Sequence, residues 1–227
     1  MTDRVDGRDT RWTQHRAQRR RELVEATLHA IRRHGAGVGM DDIAAEAGTS
    51  KTVVYRHFGG RSGLYVAVVE AVDAVILGDL GTATEHTDPD DAIGLVGAMV
   101  DAYLGLVEKD PEIYRFVVTR PLVDGPVADD PVAGMTDRIG DQVARSLAVH
   151  LRRRGGQESA ASATTWGHGL VGFVRAAADQ WLTSGTPRSR SEVVDDVIAL
   201  FGPAFAATLP ATPPATPLIT PRNEDRG

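Results

Sequence analysis

Apolar residues recur along this chain at the three- and four-residue spacing of amphipathic helices, and no stretch alternates convincingly as a half-buried strand would. From Arg16 onward Leu23, Ala26, Ala30 and Ile31 keep a helical register that Gly35 stops. "GMDDIAAEAG" predicts a short helix with Asp41 and Asp42 in its first turn, where the helix dipole favours anions, ending at Gly48. A second short helix covers Ser50 to His57, and after the Gly59-Gly60 break a longer one runs from Ser62 to Leu77 or beyond. Asp88-Pro89 reads as N-cap and N1 of the next helix, whose Ile93, Val96, Val100, Tyr103, Leu104 and Val107 share a face. Asp110-Pro111 repeats that signature ahead of Ile113, Phe116 and Val117. Further helices are expected over 132–154, ending at Gly155-Gly156, and over 158–182. The last carries Val194, Val197, Ile198, Phe201 and Phe205, with a kink or early end at Pro203. The fold class is therefore all-α, with about nine helices.

Composition adds that the protein is an ordinary water-soluble type. It has 227 residues, 42% hydrophobic and 25% charged, and no apolar run approaches the ~20 residues of a membrane span. The N-terminus lacks the apolar core of a secretion signal. Cysteine is absent, which excludes disulfides and thiolate metal sites and fits a cytoplasmic protein.

Charge divides the chain. Residues 1–65 hold 12 Lys and Arg against 8 Asp and Glu, whereas the rest hold 13 against 23, so a basic first third sits on an acidic body. Such asymmetry points to two parts with different partners.

Chemistry concentrates in "AEAGTSKTVVYRHFGGRSGLY", residues 45–65. Two short helices joined through a glycine form a helix-turn-helix pattern: Ala44 and Gly48 permit the close crossing, and Ile43, Ala47 and Val54 supply its small core. The second helix is then the one that enters the major groove, with Ser50 placed to cap it. Lys51, Arg56 and Arg61 are cations for phosphates, and the Arg16–Arg21 cluster, Arg19 included, extends them. Ser50, Tyr55 and His57 can donate to phosphate oxygens, while Thr49, Thr52 and Val53 sit where base edges and thymine methyls are read. On spacing alone an ordinary helical hairpin with solvated charges remains the alternative.

Residues 18–65 closely resemble the DNA-binding domain of the tetracycline-repressor (TetR) family of bacterial regulators. The matching elements are "RRRELVEATLHAIRRHG", Ile43-Ala44, Ala47-Gly48-Thr49-Ser50, Tyr55-Arg56-His57-Phe58 and Arg61, in order and at the family's spacing. Two positions depart from the pattern: Thr49 stands where an apolar residue is usual, and Gly39 where an N-cap Thr commonly meets a phosphate. The resemblance implies a DNA-binding unit over 16–61; residues 1–15, which lack periodicity, are expected to be a disordered basic arm ahead of it. It also implies a regulatory ligand-binding and dimerisation unit over 62–208, while the Pro/Thr/Ala-rich composition of 209–227 predicts a disordered tail. It further implies a homodimer on a palindromic double-stranded DNA operator, most often a repressor that a small-molecule effector releases, with an activator or a non-sensing DNA binder as alternatives.

In the second part, Met99, Tyr103, Tyr114, Phe116, Trp166, His168 and Phe173 are candidates for the lining of an apolar effector pocket, though each is also a plausible core residue. His168 and Arg175 are its most testable polar members. Gly169 and Gly172 allow close helix approach, and with Trp181, Val194, Val197, Ile198 and Phe201 they mark the last two helices as the dimer interface. The helix from Ser62 is the expected lever between effector and DNA. No nucleophile, metal, phosphate-loop or dinucleotide motif is present, so neither an enzyme nor a cofactor is expected.

Overall fold

The computed structural model describes residues 7–88, 91–123, 130–153 and 160–208. Among them lie nine helices and no strand: α1 (Gly7–His34), α2 (Met40–Glu46), α3 (Lys51–Phe58), α4 (Arg61–His86), α5 (Ala92–Lys109), α6 (Pro111–Thr119), α7 (Pro131–Arg153), α8 (Ala160–Thr183) and α9 (Arg190–Thr208).

The first three helices close over Leu23, Ile31, Ile43, Ala44, Val54 and Phe58, all nearly inaccessible. Gly48 makes the α2–α3 turn in the left-handed region at φ +59°, and the Thr49 amide donates to the Ala44 carbonyl at 2.9 Å. Ser50 is the extended N-cap of α3, but its hydroxyl makes no capping hydrogen bond. Gly63 sets the joint to α4, because a Cβ there would stand 1.8 Å from the Phe58 carbonyl oxygen. Arg20 clamps α1 onto α3 from outside, donating to the His57 carbonyl with its guanidinium 4.5 Å over the Phe58 ring.

Helices α4 to α9 build the larger part around Leu64, Val68, Ile76, Val96, Leu104 and Leu147. The α7–α8 pair touches backbone to backbone: a Cβ on Gly167 would meet the Ala144 nitrogen at 2.7 Å and the Gly140 oxygen at 2.8 Å. On α4, buried Asp73 receives Arg138 Nε at 2.6 Å.

Three local expectations give way. Helix α1 begins at Gly7 rather than Arg16, so residues 7–15 are helical; Arg8, Arg11 and Gln14 favour helix, but the segment shows no apolar stripe. The N-cap of α5 is Asp91, whose carboxylate accepts the Gly94 amide at 2.7 Å, and not Asp88. Pro203 lies inside α9 without ending it, since the Ala199 carbonyl it leaves unbonded is on the solvent side. The expected arm over 1–6 and the tail over 209–227 lie outside the described residues.

Candidate DNA-reading face and effector cavity

The helical period sorts α3 into two faces. Val54 and Phe58 are buried in the three-helix core, whereas Ser50, Lys51, Thr52, Tyr55 and Arg56 are exposed, and Thr49, Val53 and His57 are half-buried at the edge. Arg56 makes no hydrogen bond or ion pair among the described residues. Lys51 is held by Asp41 of α2, Nζ lying 2.8 Å from Oδ1 and 2.9 Å from Oδ2. Both partners are solvated, so a phosphate can displace the carboxylate at little cost. Arg19 pairs with Glu22 at 2.9 Å, and Arg61 donates to the Pro121 carbonyl at 3.3 Å. Burial, and then Arg56, Arg19, Arg16 and Arg20, hold the His57 imidazole below its usual range. It is therefore neutral at neutral pH and offers one N–H rather than a positive charge.

Between the C-terminal half of α1 and helices α4, α5, α6, α7 and α8 lies an apolar cavity of about 130 Å³, walled by residues such as Val72, Ile76, Val117, Met135 and Ile139. That is close to the ~150 Å³ of an apolar cavity able to hold benzene. A smaller void reached past Tyr103, Ile139 and Val171 contains Met99 in its lining. Part of the larger cavity's lining is polar. There Tyr114 Oη donates to Asp179 Oδ1 at 2.6 Å, beside Tyr103 and Arg175. Burial pushes the Tyr103 phenol up to about 12, and it drives Tyr114 higher still with the help of Tyr103 and Asp179, so both remain protonated.

Of the expected pocket residues, Tyr103, Tyr114 and Met99 line these spaces and the other four do not. Phe116 is wholly buried against Tyr65, with ring centroids 5.7 Å apart. Trp166 packs edge-on against Phe205 at 6.0 Å, and Phe173 against Phe201 at 5.0 Å. His168 Nε2 faces Asp141 Oδ1 at 3.2 Å over Gly140. Sequence reasoning also missed Leu28 and Arg32, which carry α1 itself to the cavity wall. Arg32 is locked to Asp110 by Nε–Oδ1 and Nη2–Oδ2 bonds of 2.6 and 3.1 Å. Beside them the Ala36 amide donates to Glu112 at 2.9 Å. Helix α4 is thus not the single mechanical link expected, because α6 grips the end of α1 directly.

The proposed dimer residues also separate. Val194 and Val197 are buried in the chain's own core, and Ile198 packs onto Gly97, whose Cβ would lie 2.8 Å from Ile198 Cδ1. Val194 and Val197 are thus covered by the chain itself, and half-buried Ile198 rests on α5. Trp181 is half-buried, its Nε1 donating to the Arg188 carbonyl at 2.9 Å. Gly169, Gly172 and Phe173 of α8 are exposed, as is Leu200 of α9, and Phe201 is half-buried beside Phe173. Among the described residues no cluster of three or more His, Cys, Asp or Glu could hold a metal, and no helix is long and apolar enough to cross a membrane.

Comparison with known proteins agrees with both halves of this architecture. Residues 23–68 match the family profile "Bacterial regulatory proteins, tetR family", and residues 80–212 match "Tetracyclin repressor-like, C-terminal domain". The chain is 36% identical over 203 residues to the uncharacterized HTH-type transcriptional regulator Rv0472c of Mycobacterium tuberculosis, spanning 88% of this chain and 82% of the relative. It is 29% identical over 190 residues to the HTH-type transcriptional activator FasR of Mycolicibacterium smegmatis, spanning 81% of each. Among solved structures, a TetR-family regulator from Pectobacterium atrosepticum superposes with a TM-score of 0.67 at 21% identity, over 88% of this chain and 98% of that one.

Proposed function

The chain belongs to the TetR family of transcriptional regulators, which are not enzymes, and from that premise we propose a cytoplasmic homodimeric repressor released from a palindromic operator by a small apolar effector. The observation that carries this reading is the cavity wall: Leu28 and Arg32 belong to α1, the same helix that packs on the DNA-reading α3. A ligand filling the cavity therefore presses on the DNA-binding unit directly, and it favours one spacing of paired recognition helices over another. The exposed strip of Gly169, Gly172, Phe173 and Leu200, with Phe201 beside it, is the surface proposed to meet a second copy. Lys51, Arg56, Tyr55, Arg19 and Arg61 are proposed for phosphates, with Ser50 and neutral His57 donating beside them. Thr49, Thr52 and Val53 are proposed to read base edges.

A gel-shift titration against the protein's own upstream intergenic DNA tests this. A sequence-selective shift that weakens steeply with salt is expected, and its absence at every concentration would refute the reading. Activation is the second reading, favoured by the similarity to FasR, an activator by name. A reporter driven from the same DNA separates the two by the sign of the response.

A further inference from the structure

The cavity contains two arginines, and their surroundings differ. Arg32 has both faces of its guanidinium fork taken by Asp110. Arg175 is half-buried in the same wall, one helical turn beyond Val171, and makes no hydrogen bond or ion pair among the described residues. The carboxylate nearest along its own helix, Asp179, is already held by the Tyr114 hydroxyl at 2.6 Å. Arg175 lines the same cavity as Tyr103 and Tyr114, and it is close enough to bias their phenols and that of Tyr65 electrostatically. Among the described residues the nearby phenols are engaged elsewhere: Tyr65 donates its proton to the Val117 carbonyl at 2.6 Å, and Tyr114 donates to Asp179. A guanidinium has five N–H donors and no acceptor, so the half-buried fork of Arg175 has donors to offer an acceptor that enters the cavity.

We propose that Arg175 is the anchor for a carboxylate, so that the effector is an amphipathic acid whose apolar body fills the cavity between α4, α5, α6 and α7 while its acid group lies across the Arg175 fork. This rests on the reading of the cavity as an effector site and narrows it to a ligand class. A planar carboxylate accepts two parallel N–H bonds from the fork, a geometry that an ester, alcohol or hydrocarbon cannot reproduce. The Tyr103 hydroxyl, which stays protonated, lies beside the same position as a further donor. Asp179 accepts the Tyr114 hydroxyl at 2.6 Å and makes no ion pair with Arg175 among the described residues.

The test uses the purified full chain and straight-chain carboxylates from hexanoate to palmitate, each paired with its methyl ester, with binding followed by calorimetry and thermal shift. At whichever chain length fits best, the acid should bind about tenfold or more tighter than its ester, the ratio expected when a charge-assisted bidentate contact is lost. Arg175→Gln should remove that preference by weakening the acid alone, and Arg175→Lys should keep part of it. The melting temperature of the ligand-free protein should not fall in Arg175→Gln, since no partner is left behind. Equal binding of acid and ester by the unaltered protein would overturn the proposal, as would a preference that survives Arg175→Gln or a sharp loss of ligand-free stability in that variant. If esters and acids bind equally well, the apolar effector reading stands and only the acid anchor falls. If no member of either series binds, both fall together.

Discussion

The two ends of the molecule solve opposite packing problems. Around α3 every interior position is filled: Val54, Ile43 and Ile31 are essentially inaccessible, and the polar side chains are turned outward. Between α4, α5, α6, α7 and α8 the interior is left incomplete, with a void walled in part by a half-buried arginine that has no hydrogen-bond or ion-pair partner among the described residues. Close packing gives one arrangement, as a surface that must match a groove requires. An unfilled apolar cavity leaves contact energy available to whatever enters, as a sensor requires. The regions touch at α3–α4 and at the α1–α6 joint, and the comparison is broken or sharpened by disturbing one region and observing the other.

The largest effects should come from two glycines, one in each part. Gly63→Ala forces a methyl group into the Phe58 carbonyl, a backbone atom that cannot swing aside, and should cost about 3 kcal/mol or more. DNA binding should be lost while carboxylate or other cavity ligands still shift the melt. Gly167→Ala pushes α8 off α7 at two backbone contacts near 2.7 and 2.8 Å and should cost about 1–3 kcal/mol in the larger part. Hydrogen exchange resolves the two cases: protection should fall first in α2 and α3 for Gly63→Ala, and first in α7 and α8 for Gly167→Ala. Uniform loss across all helices in both variants would show the parts to be one cooperative unit and would remove the basis of the contrast.

Smaller is the effect of acid on the α1–α6 joint. Arg32 holds the Asp110 carboxyl below its ordinary range, and the Ala36 amide, followed by Arg115, does the same for Glu112. Both folded values are depressed, so the stabilisation is complete above the ordinary carboxylate values of about 3.9 and 4.3 and disappears as pH falls through the folded ones. An Asp110→Asn, Glu112→Gln double variant should be less stable than the parent by about 1 kcal/mol at neutral pH. The gap should close as the pH is taken below about 4. A gap independent of pH would mean that these carboxylates do not carry the joint.

The parts also differ in how far they can be read from the residues. The helix-turn-helix is local: Gly48, the spacing of Ile43 and Val54, and the cations of "SKTVVYRH" lie within about twenty residues, so pattern and chemistry coincide in one stretch. The cavity is not local. Its wall draws on six helices, and whether an aromatic of α6 lines it, as Tyr114 does, or fills the core, as Phe116 does, depends on which other helices pack against each face. The same limit explains Val194 and Val197, whose face on α9 is apolar whether it meets α5 or a second chain. The start of α1 was hidden for the reverse reason, because a helix polar on all sides has no stripe.

The smallest expected effect concerns the pair that joins α2 to α3. Lys51 is the first residue of the recognition helix, and in the free protein its ammonium spends its charge on Asp41, which raises its pKa by hydrogen bonding and proximity. DNA must displace that carboxylate, so the phosphate contact is weaker than an unpaired lysine would make. Asp41→Asn should tighten binding a few-fold on every sequence, because it removes a negative charge from the DNA side and frees the cation. Lys51→Ala should weaken binding on every sequence and reduce the salt slope by about one. Neither change should alter the order in which operator variants bind, because a phosphate contact carries no base information. Thr52→Ala is the internal control: it should reorder operator variants while leaving the salt slope in place. Measuring all three on one operator series at several salt concentrations separates positioning from reading on this helix. If Asp41→Asn left affinity unchanged while Lys51→Ala reduced it, the carboxylate would already be displaced in the complex at no cost, and the α2–α3 pair would be incidental to recognition.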